Sequence, residues 1–151
     1  MKKVAFTLFF AVISSMAIGQ MTNPVSWTYE ARKKSADTYD IVLTADVAHP
    51  WHIYSQNTGK GGPIPTTITL KSNPLISYTK GKAKEVGKLE KTFDENFKTN
   101  VLFFSDKVQF VQTVKVKGGI KTNLSGTVEY MVCDDSKCLP PVKKAFDLKL
   151  L

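Results

Sequence analysis

The 151-residue chain is poor in several features that mark common protein classes. Its N-terminal apolar run, residues 4–13, is far shorter than the roughly 20 residues of a transmembrane helix, and no second run follows. The glycine- and proline-rich segment 57–65 lacks the Gly-Lys-Ser/Thr arrangement of a phosphate-binding loop, so we interpret it as a connection. No internal repeat and no recognisable hydrolase motif is present. These absences argue against membrane-spanning, nucleotide-binding, repeat and hydrolytic proteins.

The N-terminus has the pattern of a secretory signal peptide, residues 1–19. Two lysines precede the apolar run, and the small-x-small triplet Ala17-Ile18-Gly19 is typical of a cleavage site. The mature domain would then comprise residues 20–151, and no cysteine stands where a lipid anchor would be attached. We therefore expect a soluble periplasmic protein without a membrane anchor.

The charge of the chain is basic, with 21 lysines and arginines against 13 acidic residues and a formal net charge of +8. Nucleic acid is not an expected partner outside the cell. We interpret the positive excess as a solvated face that aids solubility, with an acidic protein partner as the alternative.

Alternating apolar and polar residues predict an all-β domain, because side chains in a strand point to opposite faces in turn. About 130 mature residues are enough for one domain with a core of its own. Segment 81–100 shows weak periodicity and is expected to be a long loop. Roughly eight strands in a β-sandwich are predicted, in and around residues 26–31, 39–47, 51–54, 66–70, 101–104, 108–116, 124–133 and 145–150.

The chain has only two cysteines, Cys133 and Cys138, and the four residues between them fit a hairpin loop. Directly opposite residues in a non-hydrogen-bonded strand pair lie about 4.5 Å apart at Cα, within reach of a disulfide, which an oxidising compartment favours. So small a ring would stabilise the fold by only about 2 kcal/mol. Strand parity turns Cys133 away from Val132, toward the less apolar face, where sulfur is accessible.

The residues alone leave several alternatives open. Redox exchange competes with a static hairpin disulfide, and Asp134 and Asp135 disfavour a thiolate whereas Lys137 favours one, so neither cysteine is identified as the attacking group. A zinc site formed by both cysteines with His49 and His52 is disfavoured, because a three-residue offset in an extended segment points the two rings to opposite faces. No metal or other cofactor is expected.

Three segments give the chain its family resemblance. The sequence Cys-Asp-Asp-Ser-Lys-Cys-Leu-Pro-Pro at 133–141, preceded by 126–130 and by Trp-His-Ile-Tyr-Ser-Gln at 51–56, resembles the N-terminal periplasmic domain of the DsbD thiol:disulfide interchange proteins. The likeness covers nearly the whole mature chain. It implies an immunoglobulin-like β-sandwich that acts in protein-disulfide reduction: it receives electrons from a thioredoxin-like domain and passes them to periplasmic proteins that contain disulfides.

The resemblance also implies roles for individual residues. Cys138 would form the mixed disulfide with partners and Cys133 would resolve it. The family shields its cysteines with a mobile cap loop, which 94–97 matches best, so Phe97 is the candidate lid and Phe93 the second candidate. From burial statistics alone, Phe97 is equally well explained as a core residue under a long loop.

The resemblance favours a role for the aromatic residues Trp51, His52 and Tyr54 in flanking the cysteines and docking a partner. The alternative is that His52 is simply a partly buried ring beside the other two. The sequence contains neither the multi-helix membrane domain nor the thioredoxin-like domain of typical relatives. The expected partners are therefore a thioredoxin-like domain of a separate membrane electron donor and periplasmic client proteins with disulfides. The competing prediction is a secreted immunoglobulin-like interaction module whose hairpin disulfide is inert.

Overall fold

A computed structural model describes residues 23–78 and 81–150. The predicted signal peptide, residues 1–19, lies outside the described residues. Among the described residues, none of the helical structure is long and apolar enough to cross a membrane.

Extended backbone dominates the described residues, as the alternating sequence patterns predict. A single 3₁₀ turn, Lys117–Gly119, interrupts it. The twelve strands in this part of the chain are β1 (Val25–Lys33), β2 (Thr38–Val47), β3 (His52–Tyr54), β4 (Thr67–Leu70), β5 (Ile76–Tyr78), β6 (Lys84–Gly87), β7 (Glu90–Asp94), β8 (Thr99–Phe104), β9 (Lys107–Val116), β10 (Thr122–Tyr130), β11 (Val132–Cys133) and β12 (Val142–Leu150).

The strands form three antiparallel sheets. The largest has the order β1-β2-β9-β5, with β6 also paired to β9; the second has the order β12-β10-β4. The third has the order β11-β3-β8-β7. It contains Cys133 in β11 and the aromatic segment His52–Tyr54 in β3. The predicted all-β class is confirmed.

The main core lies between the first two sheets, where the inward residues of their long strands meet. β2 runs between β1 and β9, so its residues 41–45 are all buried. Burial of each large aliphatic side chain contributes about 1.5–3 kcal/mol relative to exposure. The largest buried side chains of this core are Ile41, Leu43, Ile53, Phe104, Phe110, Leu124, Tyr130 and Leu150.

The predicted strand 124–133 is in fact two strands. β10 ends at Tyr130 and pairs with β12 and β4, whereas β11 begins at Val132 and pairs with β3. Because the alternation of apolar residues continues through both strands, the break between them has no local signal in the sequence. The chain passes from the second sheet to the third at Met131, and this places the cysteine hairpin in the third sheet.

Segment 81–100, predicted to be a loop, contains β6 and β7. β6 pairs with β9, and β7 pairs with β8 through Glu90↔Phe103 to Asp94↔Thr99. Both strands are short and largely exposed, so they lack the apolar alternation that marks a half-buried strand. These additional short strands raise the number above the predicted eight.

Gly126 allows three strands to pack closely in the second sheet. A Cβ atom at this position would lie 2.6 Å from Cζ of Phe146 and 2.7 Å from the carbonyl oxygen of Thr69. We expect Gly126→Ala to lower the free energy of unfolding by about 1–3 kcal/mol, because backbone and ring must both move. Urea unfolding measures the loss. Gly59→Ala is the control, since its Cβ would meet nothing closer than 3.9 Å, and equal losses for the two variants would contradict this explanation.

Candidate redox site

One face of the third sheet forms the floor of a cleft. Cys133 pairs with His52, Tyr54 pairs with Phe103, and Phe103 pairs with Glu90 across the strands. Directly paired residues in an antiparallel sheet share a face, so these five side chains point to the same side. All five line a cleft of about 760 Å³.

The opposite face of this sheet anchors it to the main core. Ile53, Val132 and Phe104 alternate with the cleft residues, and all three are buried in the core. The alternation of two residues per repeat therefore fixes which side chains reach the cleft.

The cysteine hairpin has the predicted geometry. Asp134 N–H donates to the Lys137 carbonyl and Leu139 N–H donates to the Val132 carbonyl, each at 2.9 Å, so the two cysteines between them form a non-hydrogen-bonded pair. Their Cα atoms are 4.0 Å apart and their sulfurs form a disulfide.

The two cysteines differ in exposure. Cys133 is only 3% exposed and packs against Tyr54 and Val101, whereas Cys138 is exposed. Strand alternation correctly predicted that the Cys133 side chain points away from the main core. The prediction that its sulfur is accessible was wrong, because Tyr54 and Val101 cover it. Cys138 is therefore the cysteine that a partner can reach.

Asp134 holds the turn between the cysteines. Its Oδ1 accepts hydrogen bonds from Ser136 N–H, Ser136 Oγ and Lys137 N–H, each at 2.8 Å. These bonds, from Ser136 first, hold the pKa of the Asp134 carboxyl below its usual value. Asp134 is consequently charged at neutral pH.

The predicted cap segment is the turn between β7 and β8. Asp94 Oδ1 accepts hydrogen bonds from Asn96 N–H at 2.8 Å and from Phe97 N–H at 3.1 Å, much as Asp134 does in the cysteine hairpin. Phe97 is partly buried and Phe93 is 51% exposed, and both line the same cleft as the cysteines. The structure therefore brings both lid candidates to the disulfide cleft, and Phe97 is not a residue of the main core.

His52 and Tyr54 form a hydrogen-bonded pair on the cleft floor. His52 Nε2 lies 3.1 Å from Tyr54 Oη, and the His52 ring packs on Phe103 with 4.7 Å between centroids. Burial raises the pKa of Tyr54 to about 12, and the charge of Asp94 adds to this effect. Burial also lowers the pKa of His52, opposed by the charges of Asp135 and other carboxylates, so the ring favours its neutral form.

Trp51 is placed apart from the other two aromatic residues of the predicted docking group. Its ring packs against the main core and does not line the cleft. Lys137 Nζ lies 5.9 Å from the ring centroid, close enough for a cation–π contact. Trp51 therefore contacts the cysteine hairpin at Lys137 and not from within the cleft.

Sequence reasoning missed several residues that build the site. Val101 and Phe103 form part of the cleft floor, and their two-residue spacing in a predicted strand was the available signal. Glu85 gave no local signal at all: it accepts 2.7 Å hydrogen bonds from Ser55 Oγ and Gln56 N–H and so holds the end of β3.

The described residues contain no group of three or more histidine, cysteine or acidic side chains arranged to hold a metal ion. Both cysteines that the zinc alternative would need are bonded to each other.

Comparison with protein families gives a match over almost the whole described chain. The model of the N-terminal region of the thiol:disulfide interchange protein DsbD matches residues 22–150. The chain belongs to this DsbD N-terminal family. No curated protein matches the sequence.

Solved structures show the same fold at low sequence identity. The DsbD N-terminal domain of Neisseria meningitidis in its reduced form is 18% identical, with a TM-score of 0.55, 81% of this chain and 83% of that chain covered. The complex of the N. meningitidis DsbD and PilB N-terminal domains gives 16% identity, a TM-score of 0.51 and 80% coverage of each chain. The N-terminal periplasmic domain of ScsB from Proteus mirabilis gives 16% identity and a TM-score of 0.51, covering 85% of this chain and 46% of that chain. The predicted immunoglobulin-like β-sandwich is confirmed.

The half-buried position of His52 predicts a pH-dependent contribution to stability. Its folded-state pKa lies below the unfolded value of 6.5, so the unfolded chain binds the proton more readily and His52 destabilises the fold as the pH drops below that value. We expect His52→Gln to lose less unfolding free energy than the wild type between about pH 7.5 and pH 5.5. Denaturant titrations at each pH measure the difference, with His49→Gln as the control from an exposed position. Parallel pH curves for wild type and His52→Gln would contradict the prediction.

Proposed function

We propose that this domain is a periplasmic thiol:disulfide exchange protein, which relays reducing equivalents from a thioredoxin-like donor to exported proteins. The observation that carries the proposal is the pairing of an exposed cysteine, Cys138, with a buried one, Cys133, at the edge of a cleft. Membership of a thiol:disulfide interchange family supports this chemistry in general. The complex of a DsbD N-terminal domain with the PilB N-terminal domain supports a thioredoxin-like partner, and the periplasmic domain of ScsB supports the location.

The unequal burial assigns different steps to the two sulfurs. In the reduced domain, the Cys138 thiolate attacks a client disulfide, one client sulfur leaves as a thiolate, and a mixed disulfide forms. Cys133 then attacks the Cys138 sulfur from beneath, and the second client sulfur leaves. The client gains two electrons and two protons as a dithiol, and the domain is left with the Cys133–Cys138 disulfide.

Recharging reverses these steps. A thiolate of the thioredoxin-like donor attacks the exposed Cys138 sulfur and releases Cys133 as the leaving thiolate. The second donor cysteine then attacks the donor sulfur of the mixed disulfide and releases Cys138, so the donor becomes oxidised. A buried Cys133 is compatible with both client reduction and recharging, because only Cys138 needs to react with it.

The turn between β7 and β8 supports a lid role for Phe97. This ring and the disulfide line one cleft, and the turn is held by the side chain of Asp94 rather than by the core. Outward movement of this turn alone widens access to the cleft without breaking the pairing of β8 with β3. We assign the shielding to Phe97 first and to the more exposed Phe93 second.

Cysteine substitutions test the assigned order of attack. We expect Cys138→Ser to abolish mixed disulfides with an oxidised thioredoxin-like protein, whereas Cys133→Ser accumulates them at least about tenfold above wild type, because the resolving thiol is absent. Non-reducing gels after acid quenching measure the adducts. Both variants lack the internal disulfide and so serve as controls for each other. Accumulation in Cys138→Ser instead would reverse the roles.

Removal of the Phe97 ring tests the lid. We expect Phe97→Ala to speed reduction of the Cys133–Cys138 disulfide by a small thiol such as glutathione several-fold, because the cleft opens to solvent. Timed alkylation and mass spectrometry follow the reaction. Leu89→Ala removes an exposed apolar side chain, 50% accessible, that does not line the cleft, and it should leave the rate unchanged. An unchanged rate in Phe97→Ala would disprove the lid.

A further inference from the structure

The charge around the disulfide has the opposite sign to that of the chain as a whole. The chain carries a net charge of +8. The cleft is lined by six carboxylates but only two lysines, Lys88 and Lys137, which gives it a net charge of −4. The carboxylates are Glu90, Asp94, Glu95, Asp106, Asp134 and Asp135.

These carboxylates come from three separate parts of the chain. Asp134 and Asp135 lie between the cysteines, and Asp106 lies in the turn between β8 and β9. The remaining three belong to β7 and its following turn. A negative rim assembled from three segments is a property of the tertiary site and not of one acidic stretch of sequence.

The cleft carboxylates are also poorly neutralised. Outside the cleft, five of the other seven acidic residues form ion pairs with lysine or arginine: Glu30, Asp37, Asp40, Asp46 and Glu129. Among the six in the cleft, only Glu95 has an ion pair within the described residues, with Lys98 at 2.8 Å. A chain with an excess of lysine therefore leaves most of its unpaired negative charge at the disulfide.

Four of these carboxylates act electrostatically on His52, on the cleft floor. Asp135, Asp94, Asp134 and Glu90 each oppose the lowering of the His52 pKa that burial causes. His52 pairs directly with Cys133, so the same field covers the cysteine pair. In the proposed exchange, a partner's sulfur must approach the exposed Cys138. The carboxylates determine the electrostatic potential at that point.

We propose that the cleft selects partners whose reactive disulfide or dithiol is surrounded by lysine and arginine side chains. This inference rests on the proposed exchange function and names the chemical class of its partners. Complementary charge speeds encounter and excludes acidic partners. The net charge of the chain suggested an acidic partner, but at the cleft we expect a basic one.

Three small disulfides of different charge test the proposal: cystamine, which is dicationic, 2-hydroxyethyl disulfide, which is neutral, and 3,3′-dithiodipropionate, which is dianionic. The reduced protein is oxidised by each in turn, and acid quenching, alkylation and mass spectrometry give the rates. Each rate is divided by that of dithiothreitol with the same disulfide, because leaving-group pKa values differ. Ratios between disulfides do not depend on how much Cys138 is ionised, since the same thiolate attacks all three.

We expect cystamine to react at least about fivefold faster than the dianion at low ionic strength after this correction. The preference should fall toward unity in about 0.5 M sodium chloride, because salt screens charges at an open cleft. It should also fall in the Asp106→Asn/Asp135→Asn double variant. These two side chains accept no hydrogen bond from the described residues, so their neutralisation leaves both turns intact.

Asp147→Asn is the matched control, because Asp147 is exposed on β12, forms no ion pair in the described structure and lies outside the cleft. It should leave the preference unchanged. Equal corrected rates for the three disulfides, or an equal effect of Asp147→Asn, would overturn this inference while leaving exchange itself in place. Failure to react with any of the three would instead overturn the proposed function and this inference with it.

Discussion

The three-residue strand β3 is the constraint on which the site depends. Its backbone pairs with the cysteine strand β11 on one side and with β8, the partner of β7, on the other. Ile53 is fully buried in the main core, so His52 and Tyr54 must face the cleft. Hydrogen bonds from Ser55 and Gln56 to Glu85 fix the end of the strand. The disulfide, the cleft floor and the strand that leads out of the β7–β8 turn are consequently positioned by one set of backbone hydrogen bonds.

The two sulfurs of the disulfide have unequal surroundings. Tyr54 and Val101 cover Cys133, while Cys138 begins the exposed return of the hairpin. Two turns close the cleft, and each is held by an aspartate side chain that accepts two or more backbone or side-chain hydrogen bonds. Such turns position charge and sulfur at the surface without being part of the core.

Local patterns were enough to predict the class of the fold and the disulfide pair. The alternation in β2 and β9 is strong because each strand has a face on the main core, so an all-β sandwich could be predicted. The hairpin between Cys133 and Cys138 was predictable because both residues and their turn lie within six positions of the chain. The cap segment and the aromatic group around Tyr54 came from the family resemblance, not from periodicity.

The sequence by itself therefore determined the strand-forming patterns, the core-facing residues and the cysteine hairpin, because each depends on neighbours a few residues apart. Only the tertiary structure decided that the chain changes sheet at Met131, that Cys133 is covered while Cys138 is open, and that Trp51 packs on the main core and not in the cleft. It also decided that unpaired carboxylates from three segments meet around the disulfide of a basic protein. Burial and electrostatic potential are sums over residues distant in sequence, so no local pattern can contain them.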